Sequence, residues 1–252
     1  MTTESFLERI KIVMVNTSHP GNIGAAARAM RVMGLKNLTL VQPNIFPSAR
    51  ATAMSSGALD VLDNAQVVTS LAEAVANCQL VIATTARTRH LAINSYSVAA
   101  AASEVMVRLS ENKTQPIAIV YGAERTGLTN EHIDLCQRLM NIPTANDYNS
   151  LNIASAIQVT CYELQKNYLE LLNLDINKND LKKSHMPSSQ QDREYFFAHL
   201  EELMIQTQFL DPKKPKYLMR RLRLLFNRAE PDQNEINILR GILTACQKSI
   251  KS

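Results

Sequence analysis

The chain has 252 residues, of which 46% are hydrophobic and 20% are charged, and its formal net charge is +4. This composition is typical of an ordinary soluble globular protein that buries a sizeable core. No apolar run approaches the roughly 20 residues of a membrane span, so we expect no membrane partner.

The N-terminus and the cysteines both bear on the compartment. The first residues, MTTESFLERI, have neither a cationic start nor an apolar core, so no signal peptide is expected. The cysteines are scattered without a CxxC pair, which favours buried thiols of a reducing compartment over zinc ligands or disulfides. They are Cys78, Cys136, Cys161 and Cys246. The sequence thus predicts a cytoplasmic protein without a metal site.

The positive charge is concentrated towards the C-terminus. From Lys182 to Ser252 there are 13 basic against 8 acidic residues, whereas the rest of the chain has 14 against 15. A neutral body with a basic extension indicates a polyanionic partner. A basic face that only contacts solvent is the alternative that composition leaves open.

Apolar runs of strand length alternate with helical patterns in the first 172 residues. The predicted strands are Lys11–Val15, Leu38–Val41, Val67–Val68, Leu80–Ala83, Pro116–Tyr121 and Leu139–Ile142. The predicted helices are Asn22–Met33, Ser70–Asn77, Val98–Leu109 and Thr129–Leu139. This alternation predicts an α/β fold, with a parallel sheet covered by helices on both faces.

A long helix is predicted after Ser150, with Asn149 or Ser150 as its cap. Its apolar stripe consists of Leu151, Ala154, Ile157, Cys161, Leu164 and Tyr168, at steps of three and four. The stripe is a candidate dimer contact, and burial within its own domain is the alternative. Residues 173–191 are predicted to be a polar linker, and 192–252 a small all-helical domain.

Three loops that follow strands and precede helices are candidate ligand sites, because ligands in open α/β sheets bind at the carboxyl ends of strands. In the first loop, Gly21 and Gly24 allow close approach, and Arg28 lies among alanines. A planar guanidinium in such surroundings suits phosphate, although pairing with a carboxylate is the alternative. His19 has no partner at metal-ligand spacing, so we expect it to be an ordinary loop residue.

The second loop is GAERTGL at Gly122–Leu128, and the third is the polar stretch between Ile142 and Ser150. Glu124 could receive a cation, hold a neighbouring arginine or be solvated. Neither a Walker loop nor GxGxxG is present, so a dinucleotide-binding fold is not supported.

Together these loops resemble the three motifs of SPOUT-class RNA 2′-O-ribose methyltransferases. The motifs are N-x5-R at Asn22 and Arg28, GxExxGL at Gly122–Leu128, and IP…SLN at Ile142–Asn152. Two further segments restrict the resemblance to one group within this class: TTARTR at Thr84–Arg89 and the C-terminal RRLRLLFNRAEPDQNEINILRGIL. Both are similar to segments of the bacterial tRNA (cytidine/uridine-2′-O)-methyltransferases that act in the anticodon loop.

The resemblance implies a fold and a cofactor that the residue patterns do not give. It implies a C-terminal trefoil knot in domain 1–172, the α/β knot of SPOUT proteins, and S-adenosylmethionine as methyl donor. The donor site would consist of Thr84, Thr85, Ala86, Gly122, Ile142, Ser150, Leu151 and Asn152. It also implies a homodimer with the active site at the subunit interface, and a cytidine or uridine at tRNA position 32 as target.

The resemblance assigns catalytic roles to Arg28, Ser150 and Glu124. Because a guanidinium stays protonated, we expect Arg28 to anchor phosphate and stabilise the developing alkoxide, not to act as a general base. The expected RNA contacts are Asn22, Arg87, Arg89, Arg220, Arg221 and Arg223. A methyltransferase for ribosomal RNA or another tRNA position, and a non-catalytic RNA-binding protein of the same fold, are the alternatives.

Overall fold

The computed structural model describes residues 6–86, 94–111, 114–145, 150–174, 187–214 and 216–251. Within this part of the chain, seven strands form one sheet in the order β3-β2-β1-β6-β4-β7-β5, and every neighbouring pair is parallel. The strands are β1 (Ile10–Val15), β2 (Asn37–Val41), β3 (Gln66–Val68), β4 (Leu80–Thr84), β5 (Ser95–Ser97), β6 (Ile117–Tyr121) and β7 (Arg138–Asn141). The predicted parallel α/β sheet is therefore confirmed.

Helices cover both faces of this sheet. Those of the sheet domain are α1 (Pro20–Val32), α2 (Ala49–Ser55), α3 (Leu59–Asp63), α4 (Leu71–Val75), α5 (Val98–Glu111), α6 (Asn130–Asp134) and α7 (Ile153–Leu174). Alternate residues of β1 point to opposite faces: Ile12 and Met14 pack in the core under α1, α5 and α7, whereas Val13 and Val15 pack in the core under α4 and α6. Because strands such as Ile117–Tyr121 are buried on both faces, their sequences are continuous apolar runs.

Helix α2 packs tightly against α1, and Gly24 makes this approach possible. A Cβ atom on Gly24 would lie 2.0 Å from the carbonyl oxygen of Ala51. No side chain fits there, so the helix pair requires glycine at this position.

The C-terminal part is a helical domain of α8 (Gln190–Gln206), α9 (Leu218–Ala229) and α10 (Gln233–Lys251). Its own core includes Phe196, Phe197 and Ile236. The domain also contacts the sheet domain, because the backbone N–H of Gln190 donates to the carbonyl of Cys78 at 3.1 Å. The prediction of a small helical C-terminal domain is confirmed.

Several local predictions were wrong. Helices α2 and α3 and strand β5 were not foreseen, because they are short and lack a clear apolar period. Helix α6 ends at Asp134, since residues from Arg138 onwards pair with β4. Asn152, not Ser150, caps α7, because its Oδ1 accepts from the N–H of Ala154 at 2.9 Å; Asn149 lies outside the described residues.

The apolar stripe of α7 packs inside its own domain. Ile157, Cys161 and Leu164 are fully buried, and they belong to the core that also contains residues of α1 and α5. These three residues are therefore not a dimer contact, and burial within their own domain is correct for them, whereas Leu151, at the start of the stripe, is 41% exposed.

Three of the four cysteines are buried thiols, as expected. Burial raises the pKa of Cys78 to about 11 and that of Cys161 to about 12, and Cys136 is buried as well. Cys246 is the exception, since it is exposed on α10. Within the described residues, no helix is long and apolar enough to cross a membrane.

Candidate functional site

A cavity of about 390 Å³ opens where the carboxyl ends of β6, β4 and β7 meet. All eight residues expected to bind the donor line it: Thr84, Thr85, Ala86, Gly122, Ile142, Ser150, Leu151 and Asn152. The parallel sheet causes this convergence, because loops that are distant in sequence leave neighbouring strands at one edge.

The loop after β6 is a compact turn. The N–H of Gly127 donates to the carbonyl of Ala123 at 2.8 Å, and Gly127 has a φ of +69°, which favours glycine. A Cβ atom on Gly122 would lie 2.2 Å from the carbonyl carbon of Gly127. The two glycines of the GxExxGL motif therefore shape the turn itself, and they bring its backbone to the cavity wall.

The carboxylate of Glu124 joins this turn to the loop after β1. Its Oε2 accepts from the backbone N–H and the hydroxyl of Ser18, at 3.0 and 2.9 Å. Its Oε1 accepts from the N–H of His19 at 3.3 Å and from Nδ2 of Asn22 at 2.8 Å. The carboxylate of Glu124 therefore holds polar groups of the loop after β1, and among the described residues it forms no ion pair with an arginine.

These hydrogen bonds determine the charge of Glu124. Burial raises its pKa, but the donated hydrogen bonds, chiefly from the backbone of Ser18 and the amide of Asn22, lower it to about 2. The carboxylate is therefore anionic at neutral pH. Such a weak base is poorly matched to accepting a proton near pH 7, so the site favours a positioning role for Glu124.

The loop after β4 is fixed by bonds to the neighbouring strands. The hydroxyl of Thr84 donates to the carbonyl of Val120 at 2.9 Å, and the N–H of Thr85 donates to the carbonyl of Met140 at 2.9 Å. Ala86 is the last described residue before a gap, and Arg87 and Arg89 lie outside the described residues.

The third loop closes the cavity from the side of α7. Leu151 lines the cavity with 41% of its surface exposed, so its side chain is available to a ligand. Asn152 has two roles: its Oδ1 caps α7, and its Nδ2 donates to Oδ1 of Asn22 at 3.0 Å. The chain Asn152–Asn22–Glu124 thus connects all three loops.

Arg28 is exposed on α1 and does not line this cavity. Its Nη1 donates to the hydroxyl of Ser56 at 3.3 Å, and no ion pair to a carboxylate is found for it among the described residues. In the described part of the chain, Arg28 thus forms no structural ion pair with a carboxylate, which was the alternative considered from the sequence.

The arginines of α9 differ in their surroundings. Arg220 forms an ion pair with Asp134, with 3.1 Å between Nε and Oδ1. Arg223 forms an ion pair with Glu194, with 2.7 Å between Nη1 and Oε1. Arg223 also lies over the ring of Phe197, at 4.6 Å from its centroid. Arg221 is exposed. Two of the three expected RNA contacts therefore already have partners inside the protein.

Sequence reasoning missed several residues of the cavity wall. Arg125, Thr126 and Thr144 line it and were not assigned. Arg125 lies inside the GAERTGL motif, so its position next to Glu124 was the available signal. In the part of the chain that is described, no group of three or more His, Cys, Asp or Glu residues could hold a metal ion.

Two family models of known proteins match this chain. The SpoU rRNA Methylase family matches residues 9–162. The C-terminal domain of the tRNA methyltransferase TrmJ matches residues 191–252.

Curated relatives match over nearly the whole chain. The tRNA (cytidine/uridine/adenosine-2′-O-)-methyltransferase TrmJ of Pseudomonas aeruginosa is 43% identical, covering 96% of this chain and 95% of the relative. The tRNA (cytidine/uridine-2′-O-)-methyltransferase TrmJ of Photorhabdus laumondii is also 43% identical, covering 97% and 99%. The crystal structure of TrmJ from Z. mobilis has a TM-score of 0.81 at 30% identity, covering 94% of this chain and 98% of that one.

Proposed function

Because the chain belongs to the SpoU methylase family and is similar along its length to TrmJ enzymes, we propose that it methylates the ribose 2′-hydroxyl of a cytidine or uridine in the tRNA anticodon loop. It is an S-adenosylmethionine-dependent tRNA 2′-O-ribose methyltransferase. Position 32 is the proposed target nucleotide. One observation carries the proposal: the hydrogen-bonded chain Asn152–Asn22–Glu124 joins the three motif loops beside the cavity.

The cavity suits S-adenosylmethionine. Its volume of about 390 Å³ falls within the range of roughly 300–1,000 Å³ that is usual for small-molecule sites. Ile142 and Leu151 offer apolar surface to an adenine ring, and Gly122 lets the backbone approach it. When bound, the cofactor supplies an electrophilic methyl group on its sulfonium.

Arg28 is the proposed residue at the reacting ribose. Its exposed guanidinium has no carboxylate partner among the described residues, so it is available to a phosphate of the RNA. Such a group holds the 2′-oxygen in line with the methyl group and stabilises the alkoxide that develops there. Ser150, exposed at the cavity wall, would pass the proton on together with water or phosphate.

We further propose that the enzyme is a homodimer whose active site lies at the subunit interface. Arg28 does not line the cavity of its own chain, so an arginine that reaches the reacting ribose would come from the second protomer. Exposed apolar side chains are available for such a contact. On the outer face of α7 they are Tyr162, Leu169 and Leu172, exposed by 53%, 49% and 48%.

The C-terminal domain is proposed to bind the phosphate backbone of the tRNA. Lys213, Lys214, Lys216 and Arg221 are exposed near the start of α9, and Arg228 is exposed at its end. Exposed lysines and arginines contact phosphates and position an RNA without reading its bases. The proposed location is the cytoplasm, where the tRNA substrate and the methyl donor are available.

The test is transfer of a tritiated methyl group from S-adenosylmethionine to bulk tRNA, with ribosomal RNA as the competing substrate. Mass spectrometry of tRNA from a deletion strain then identifies the nucleotide that lacks its 2′-O-methyl group. Loss at position 32 on cytidine and uridine is the expected result. Methylation of ribosomal RNA alone, or no transfer at all, would overturn the proposal.

A further inference from the structure

Arg125 is the one basic residue among the described residues that line the donor cavity. It lies in the compact turn between Ala123 and Gly127, and its side chain is exposed. A single cation in the wall of a small-molecule site favours the binding of one anionic group of the ligand.

The adjacent Glu124 does not form an ion pair with Arg125. Its two carboxylate oxygens accept hydrogen bonds from Ser18, His19 and Asn22, so they are directed towards the loop after β1. No ion pair to Arg125 is found in the described part of the chain. Among the described residues, Arg125 therefore has no internal ion pair that a ligand would have to break.

The cavity wall is mainly apolar on its buried side and includes polar residues on its solvent-exposed side. Tyr121, Met140 and Ile153 are buried, with at most 7% of their surface exposed. Arg125 and Thr144 are exposed on the solvent side. A ligand with an uncharged ring at one end and ions at the other would place its ring against the buried wall, because charges are costly to remove from water.

We propose that Arg125 binds the α-carboxylate of the methionine part of S-adenosylmethionine. The inference rests on the proposed function, since that function supplies the ligand. The planar guanidinium matches a carboxylate with two parallel N–H···O bonds, which gives orientation as well as affinity. Arg125 thus fixes the amino-acid end of the donor while the apolar wall holds the adenine.

The test compares two ligands, one with and one without the amino-acid end that carries this carboxylate. S-adenosylhomocysteine carries it, whereas 5′-methylthioadenosine lacks the whole amino-acid end. Calorimetric Kd values are measured for the full chain and for Arg125→Gln and Arg125→Lys. Arg240→Gln is the matched control, because Arg240 is exposed on α10 and outside the cavity wall.

Arg125→Gln is expected to raise the Kd for S-adenosylhomocysteine about tenfold or more, because a hydrogen bond to a charged group is lost. Binding of 5′-methylthioadenosine should change by less than about twofold, which also shows that the cavity is intact. Arg125→Lys should retain part of the affinity, and Arg240→Gln all of it.

Equal losses for both ligands, or no loss for either, would overturn the inference. A weaker tRNA affinity at unchanged S-adenosylhomocysteine affinity would assign Arg125 to the RNA instead. If the unchanged protein binds no S-adenosylhomocysteine, the donor assignment fails and the proposed function fails with it. If it binds and Arg125→Gln binds equally well, only the role of Arg125 is wrong.

Discussion

Asn22 donates a hydrogen bond to Glu124 at 2.8 Å, although the two residues are 102 positions apart in the sequence. Asn22 also accepts from Asn152, so a single amide lies between two loops of the proposed donor site. The bond fixes the start of α1 relative to the cavity of the same chain. One polar network therefore connects the loop after β1, the turn after β6 and the start of α7.

Replacing Glu124 with Gln should destabilise the fold in a pH-dependent way. The pKa of Glu124 is lowered from 4.5 to about 2, so its contribution is complete above pH 4.5 and is lost as the pH falls towards 2. At pH 7 we expect a loss of about 1 kcal/mol, since the carboxylate is only partly shielded from solvent. Urea unfolding across this pH range measures it.

The control for this carboxylate is Glu131→Gln, because Glu131 is exposed on α6. Its free energy of unfolding should change by less than about 0.5 kcal/mol. A stability difference for Glu124→Gln that grows on acidification would contradict the assigned network.

Arg28→Ala should abolish turnover while donor binding stays near normal. Removing one group that stabilises a developing oxyanion typically lowers kcat by about 10²–10³-fold. Arg31→Ala is the matched control, because Arg31 is on the same helix but pairs with Asp60 at 2.8 Å. Full activity of Arg28→Ala in a tritium-transfer assay would exclude the proposed role.

If the active site is shared between protomers, two inactive variants should complement each other. Arg28→Ala is mixed with Leu151→Glu, which places a charge in the donor cavity. Half of the randomly mixed dimers are heterodimers with one intact site, so about a quarter of the activity should return. Exchange is promoted by mild denaturant and verified by native mass spectrometry. Mixed dimers without activity would argue for sites that lie within one chain.

Arg221→Gln should weaken tRNA binding without affecting the fold. Arg221 is exposed, and loss of one phosphate contact reduces the slope of log K against log salt by about one. Arg220→Gln is the informative comparison, because Arg220 pairs with Asp134 and should instead loosen the C-terminal domain. Salt titrations by filter binding measure the slopes. An unchanged slope for Arg221→Gln would remove it from the interface.

Glu230→Gln should lower the stability of the docked domains. Glu230, with 16% of its side chain exposed, pairs with Arg108 and with Arg138, whose side chain is 10% exposed. Both arginines keep Glu104 as a partner, so loss of the Glu230 carboxylate should cost about 2 kcal/mol in urea unfolding, as for the loss of hydrogen bonds to a charged group. Asp60→Asn, which breaks the exposed pair with Arg31, should cost less than about 1 kcal/mol. Equal effects would show that the Glu230 pairs are not shielded from water.

Much of the fold could be predicted because buried strands have a strong local signal. Apolar runs such as Ile117–Tyr121 and the cap residue Thr129 are found where the pattern indicates them. Strand β5, with the sequence SYS, is held by its pairing with β7 and not by its own propensity. Such an element cannot be read from a local pattern, because its stability comes from a neighbour distant in the chain.

The sequence by itself determined the fold class, the motif loops and, through resemblance, the candidate donor residues, all of which line one cavity. Only the tertiary structure decided which charges are available. Arg220 and Arg223 have internal partners, Glu124 is held by four donors, and Arg125 has no ion pair among the described residues. The physical reason is that a side chain's partners depend on which elements pack together, and residue type and spacing do not encode this.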